Sequence, residues 1–259
     1  MGEISVFRLF DSIMEKADPR VEDYLMMSTP WPSLIICAVY IWLVVSALPR
    51  FMEHRKPFEI RNLMIVYNFA MVLLSGYIFM EFALSGWFAG YSYGCQPVDY
   101  SKTDQAMRVF FVLRKKYNQV TFLHVFHHSV MPCSWWFGVK FVPGGFGTFH
   151  ALLNSLIHFI MYFYYGLAAF GPRFQKYLWW KRYMTTMQMI QFVLVCLHTS
   201  QLFFIECNYP MTFAYWIGSY AVIFLIMFAD FYKKAYKKPA ANGKADTNGA
   251  ITNGVKKAN

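Results

Sequence analysis

Three histidines fall within five residues, His124-Val125-Phe126-His127-His128. On an α-helix, positions i, i+3 and i+4 share one face, so this spacing predicts three imidazoles converging at one depth. A second set follows: His150, Asn154 and His158 at i, i+4 and i+8, with Tyr162 and Tyr165 continuing near the same stripe. A third comprises Thr185, Gln188 and Gln191 at i, i+3 and i+6, with His198 one stripe further along. All three lie inside long apolar segments, where polar groups are costly and usually face a bundle interior for a functional reason. Plain packing competes with each reading. Tyrosines can be ordinary bundle residues, glutamines can join helices by hydrogen bonds in lipid, and histidines can be satisfied one by one. Three histidines on one face need many partners, which favours chemistry for the first set.

Two chemistries suit clustered membrane imidazoles. A di-iron desaturase or hydroxylase needs many imidazole ligands for two irons. Acyl transfer needs a neutral imidazole to attack a thioester, with neighbours handling protons. The chain has seven histidines, of which His54 lies in a connection and His198 on another span, leaving five. Asp and Glu are absent from span centres, with Glu81, Glu206 and Asp230 near span ends. Residue supply therefore favours acyl transfer, without a metal site. Five cysteines without a C-x-x-C pair offer no zinc or redox centre. Cys37, Cys133 and Cys196 sit in apolar segments as small hydrophobes.

The elements that must position these residues are transmembrane helices. Of 259 residues, 57% are hydrophobic, 20% aromatic and only 15% charged, against about 25% charged in ordinary soluble domains. Six apolar blocks, at about 31–49, 63–84, 120–142, 148–170, 185–206 and 212–232, approach the ~20 residues that cross a bilayer as a helix. Proline and glycine punctuate their ends, at Pro49, Pro57, Pro97, Pro143-Gly144-Gly145, Gly171-Pro172 and Pro210. Trp31, Trp87, Trp179, Trp180 and Trp216 fall near expected interfaces, where indoles prefer to sit. The fold expected is an all-α polytopic transmembrane bundle spanning 31–232. Residues 1–30 are expected as an interfacial segment, with a partly amphipathic helix over 6–27, and 233–259 as a disordered cytosolic tail.

The net charge of +10 gathers in connections, with no aromatic-interleaved patch for bases, so a membrane surface rather than nucleic acid is the expected partner. Four segments are basic: 50–61, 114–116, 173–182 and the tail from Lys233. Basic connections mark the cytosolic side. Six spans cannot put all four there; one more crossing between Arg108 and Arg114 does. The apolar stretch at 109–113 is far too short to cross. The pattern reads as a seven-span protein with one span missing.

At these residues the chain resembles the ELO family of fatty-acid elongases. The resemblance rests on Gln119-Val120-Thr121-Phe122-Leu123-His124-Val125-Phe126-His127-His128, on the run from His150 through Asn154 to His158, and on Met161-Tyr162-Phe163-Tyr164-Tyr165-Gly166. Thr185, Gln188, Gln191 and Phe192, with Arg55-Lys56-Pro57-Phe58 and Tyr67-Asn68-Phe69, complete it across about residues 20–238. Gly90-Tyr91-Ser92-Tyr93 and the run from Gln175 to Tyr183 are similar to the vertebrate very-long-chain branch. One departure stands out. The family carries a K-x-x-E-x-x-D-T motif on a span before the R-K-K segment, whereas here Met107-Arg108 runs directly into Val109-Phe110-Phe111-Val112-Leu113-Arg114-Lys115-Lys116. This is where the charge pattern placed the missing span, as a splice variant, a gene-model omission or a deletion would leave it.

The resemblance implies a seven-helix fold enclosing an acyl tunnel in the endoplasmic reticulum membrane, with the C-terminus cytosolic. It implies a 3-oxoacyl-CoA synthase that condenses malonyl-CoA with a long-chain acyl-CoA and needs no cofactor. His127 is the expected nucleophile, with His158 handling protons or stabilising the enolate. His124, His128 and Asn154 would orient imidazoles and substrate, and His150, Tyr162, Tyr165, Gln188 and Gln191 would contact substrate. Homo- or hetero-oligomers with other elongases and elongation-cycle enzymes are expected partners. In the seven-span threading, Cys95 and Cys207 both fall in lumenal connections and are expected to pair. Lys256 and Lys257 resemble a di-lysine retrieval signal. With a tunnel wall and the acidic motif missing and membrane parity reversed for some spans, the smaller alternative being a short re-entrant hairpin over 106–118 that preserves parity, the 259-residue chain is expected to be inactive or nearly so. The alternatives are the di-iron enzyme and a non-catalytic partner of an intact elongase.

Overall fold

The computed structural model describes residues 6–24, 26–56, 58–100 and 122–236. Among these, all regular structure is helical. A short helix α1 (Val6–Met14) precedes six long ones: α2 (Trp31–Met52), α3 (Arg61–Trp87), α4 (Phe122–Phe141), α5 (Thr148–Ala169), α6 (Lys181–Ser200) and α7 (Met211–Tyr236). They coincide with the six apolar blocks. Four are long and apolar enough to cross a membrane: α2, α3, α7 and the helical stretch Gly145–Ala169 that contains α5. The other two, α4 and α6, carry the histidine motif and the Thr/Gln/His set. Their polar side chains lower the hydropathy of helices that pack inside the same bundle.

Sequence also explains the irregularities. Pro49 has no N–H for the carbonyl four residues back, and the preceding turn, Leu43–Ala47, widens into a π-helix. Pro132 lies inside α4 and leaves the carbonyl of position 128 without its helical donor, one turn beyond the histidine motif.

Consecutive long helices run in opposite directions except α3 and α4, which run the same way, both antiparallel to α5. α3 packs along α5, α5 against α6, α6 along α7, and α2 against α4. One end carries a disulfide between Cys95 and Cys207. There the Phe146 amide donates to the Gln96 carbonyl at 2.7 Å, and Trp87 Nε1 donates to Thr148 Oγ1 at 3.0 Å. The turn before α5 depends on Gly145, at φ +65°, where a Cβ would lie 2.8 Å from the Pro97 carbonyl oxygen. The opposite end is basic. Arg61 donates to the carbonyls of Ala169 and Phe170, Arg182 donates to the Tyr232 hydroxyl, and Lys234 pairs with Asp230.

This arrangement corrects the expected parity reversal. Val98 packs with Val142, Phe146 and Tyr209 at the disulfide end, and Arg20 donates to the Asp99 carbonyl there. Phe122 opens α4 at the basic end, and the 20-residue helix to Phe141 is about 30 Å long. The described residues flanking 101–121 thus lie at opposite ends of the bundle, and the basic segments 50–61 and 173–182 and Lys233-Lys234 share one end. Packing between the remaining helices sets their polarity. The segment 114–116, the K-x-x-E-x-x-D-T position and the tail with Lys256 and Lys257 lie outside the described residues.

Three further expectations change. The N-terminal helix stops at Met14 instead of running to residue 27. Asp18 caps a short turn at Pro19–Val21, and its amide donates to the Lys140 carbonyl. Val21 packs fully buried against Val139, and Trp136 Nε1 donates to the Met26 carbonyl, so this segment seats on the end of α4. Trp87 is not an interface anchor facing outward. It is 2% exposed, whereas Trp31 and Trp179 are 61% and 73% exposed. At the C-terminus α7 continues through Lys233 to Tyr236, past the expected start of the tail.

Candidate active site

The site forms where α4, α5, α6 and α7 meet. His127 on α4 faces His158 on α5 with ring centroids 6.3 Å apart. Two turns along, Trp135 stacks on His150 at 5.5 Å. The two pairs obey one antiparallel register, which the short Pro143-Gly144-Gly145 turn imposes. His158 meets the Tyr162 ring edge-on at 5.7 Å, and Tyr162 meets Tyr67 of α3 at 6.1 Å. Asn154 is buried one turn from His158. Tyr165 is half-buried beside Tyr162 in the same packing cluster.

α6 brings in the glutamines. Gln188 Nε2 lies 3.6 Å from Met161 Sδ, while Thr185 and Gln191 are buried. α7 contributes Phe224, whose ring lies 5.1 Å from His127 and stacks against Phe192 and Tyr220. His127 is half-buried, with aromatic rings of α5 and α7 beside it. His124 and His128 belong to α4, and their side chains are outside the described ones. His198 lies elsewhere, at the disulfide end, boxed by Phe146 at 3.9 Å, Phe149 at 4.2 Å and Trp87 at 5.4 Å.

A small apolar cavity of about 60 Å³ begins one turn beyond His127, at Met131 and Tyr220. It runs past Trp135 and His150 to Pro143, Thr148 and Tyr209 at the disulfide end. Burial holds the Tyr209 phenol well above its ordinary range, keeping it a neutral hydroxyl. The cavity walls are mainly apolar, and its lining stops short of His127 and His158. Among the described residues, no three His, Cys, Asp or Glu side chains form a metal-holding group.

Sequence reasoning missed Phe224 and Trp135, which shape the imidazoles. An aromatic on an apolar helix gives no distinguishing signal. It also missed that Cys37 and Cys133 come together, Sγ to Sγ 3.4 Å, where α2 meets α4.

Comparison with known proteins shows the family. Residues 25–244 match the family described as ELO: GNS1/SUR4 family. The chain is 52% identical to very long chain fatty acid elongase 7 of Rattus norvegicus, covering 93% of this chain and 94% of that protein. It is 49% identical to very long chain fatty acid elongase 1 of Homo sapiens, covering 90% and 91%, and 49% identical to very long chain fatty acid elongase 7 of Drosophila melanogaster, covering 91% and 78%. The rat alignment spans 263 positions, more than the 93% of 259 residues that this chain supplies, so that relative has residues with no counterpart here. The match across most of its length makes this multi-pass membrane chain a member of the GNS1/SUR4, or ELO, family.

Proposed function

We propose that this protein is a very-long-chain 3-oxoacyl-CoA synthase, joining malonyl-CoA to a long-chain acyl-CoA in fatty-acid elongation. The observation that carries this reading is the His127–His158 pair, rings 6.3 Å apart, one turn from a small apolar cavity that begins at Met131. His127 attacks the acyl thioester, and its nitrogen forms a bond to the carbonyl carbon as the bond to the CoA sulfur breaks. The thiolate takes the proton shed by the imidazolium. Acyl-imidazole is about as reactive as a thioester, so little driving force is lost. Malonyl-CoA then releases CO2, and the resulting enolate attacks the acyl carbon and frees His127. His158 relays protons or steadies the enolate, with Asn154 one turn away. The reaction uses no metal or organic cofactor.

The basic end, with Arg55, Lys56, Arg61, Arg173, Lys176 and Arg182, faces the cytosol and the phosphates of CoA. The disulfide end faces the oxidising lumen of the endoplasmic reticulum. Purified protein given a long-chain acyl-CoA and labelled malonyl-CoA should make 3-oxoacyl-CoA without added iron. Iron-dependent, oxygen-consuming product formation would overturn the reading in favour of an oxidase. Co-purification with an intact paralogue and no acyl adduct of its own would make this chain a non-catalytic partner.

A further inference from the structure

We infer that Gln191 is a further catalytic residue of this site: its side-chain N–H donates to the acyl carbonyl oxygen as that oxygen becomes an oxyanion. This rests on the acyl-transfer reading above and names a group that the histidines leave unassigned. An imidazole attack pushes the carbonyl π pair onto oxygen, and that charge needs a donor in a site from which water is largely excluded.

Three contacts along α5 and α6 set the depth of Gln191. Tyr164 packs in one cluster with Met184, Gln188 Nε2 meets Met161 Sδ at 3.6 Å, and Phe149 meets His198 at 4.2 Å. The two helices are antiparallel, so each step back along α5 is a step forward along α6. Between the Met161–Gln188 and Phe149–His198 contacts, this register puts Gln191 opposite His158. His158 in turn faces His127. The neighbouring Phe192 stacks on Phe224, which contacts the His127 ring. Gln191 therefore shares the depth of the reacting atoms.

Its side chain is also unsatisfied. Gln191 is 3% exposed, and its Nε2 has no hydrogen-bond partner among the described residues. Leaving a buried amide donor unpaired costs about 1–3 kcal/mol, so an incoming acceptor at this depth meets a donor whose desolvation is already complete. Helix gluing, the bland role for a membrane glutamine, requires a partner for that donor, and none stands among the described residues.

The electron flow balances. The His127 nitrogen lone pair forms the C–N bond, and the carbonyl π pair moves to oxygen beneath the Gln191 N–H. The pair returns as the C–S bond breaks, and the CoA thiolate leaves with the proton from the imidazolium. Enolate attack on the acyl-imidazole makes a second oxyanion at the same donor.

The test uses the full 259-residue chain and Gln191→Met, which keeps length and removes the donor. Single-turnover acylation, read by intact mass, should slow about 10²-fold to 10³-fold in the variant. Binding is read with two probes: an S-alkyl-CoA thioether, which has no carbonyl, and a 2-oxoalkyl-CoA, which has one. The variant should lose affinity for the ketone at least fivefold more than for the thioether. Acylation within threefold of the unaltered chain, or equal losses for both probes, overturns the donor role while leaving His127 chemistry standing. If the unaltered chain binds neither probe, both readings fail. A melting temperature within a few degrees of the unaltered chain establishes that the variant is folded.

Discussion

His127 and His158 hold the same antiparallel register as Trp135 and His150. The ring separations are 6.3 Å for the first pair and 5.5 Å for the second, two turns away. One helix hairpin therefore sets both the histidine pair and, through Trp135 and His150, part of the wall of the apolar cavity.

In a version with the missing positions restored, His127→Ala should abolish the covalent acyl adduct and elongation together, because it removes the proposed nucleophile. His158→Ala should leave adduct formation possible but slow overall turnover by about 10²-fold to 10⁴-fold, the usual contribution of a positioned proton-transfer group. Intact-mass detection of the adduct beside product assay separates the two. An adduct persisting in His127→Ala would reassign the nucleophile.

Phe224→Ala should destabilise the bundle by about 3–5 kcal/mol, the usual cost of truncating a buried Phe. It is 2% exposed and touches His127, Phe192 and Tyr220. Phe224→Leu should cost much less and retain activity. Thermal unfolding in detergent gives both values, and equal melting temperatures for the two variants would deny Phe224 its packing role.

These two predictions draw on different amounts of what the sequence made legible. The six long helices followed from apolar block length, and the histidine faces from i, i+3, i+4 spacing. The pairing of those faces followed from the short turn at Pro143-Gly144-Gly145. Phe224 was not legible, since on a helix as apolar as α7 every large side chain looks alike. Trp87 was misread because its position near a helix end suggests a lipid interface, while the π-turn Ala83–Trp87 swings it inward to Thr148. The N-terminal segment was misread because its amphipathic pattern hid the cap at Asp18 and the docking of Val21, which depend on residues over 100 positions away. His198 looked like an extension of the glutamine stripe, yet helix length alone carries it to the far end of the bundle.

Cys95→Ser or Cys207→Ser should lower stability by about 4–5 kcal/mol, because the bond closes a loop with a sequence separation of 112 and long loops lose most entropy on closure. Reductant should lower the melting temperature of the unaltered chain and leave the Ser variants unmoved. Insensitivity of the unaltered chain to reductant would deny the bond a stabilising role.

Gly145→Ala should cost about 1–3 kcal/mol, since the residue holds φ +65° and a Cβ would press on the Pro97 carbonyl oxygen at 2.8 Å. The displaced turn should also loosen the nearby end of the cavity. Weaker binding of the longest acyl-CoA probes, with short ones unaffected, would show it. Uniform loss across chain lengths would place the damage at the histidines instead.

Membrane topology and activity come apart in this chain, and the last prediction separates them. The disulfide connections and the basic connections lie at opposite ends of the bundle, so an N-glycosylation acceptor placed between Ser92 and Val98 should be modified in the reticulum, and one placed between Pro172 and Tyr177 should not. The C-terminus should be reachable by protease from the cytosolic side. A connection from residue 101 to 121 has the reach for this, since even helical chain advances ~1.5 Å per residue. Correct threading does not restore the K-x-x-E-x-x-D-T motif or the helix that carries it. Expressed in cells lacking their own elongases, the 259-residue chain should therefore elongate at a small fraction of the rate of a version with the missing positions restored, even with both glycan markers correct. Correct markers with restored-level activity would show that span to be dispensable. Inverted markers would instead attribute lost activity to misthreading, and would contradict the polarity that packing gives α2 through α7.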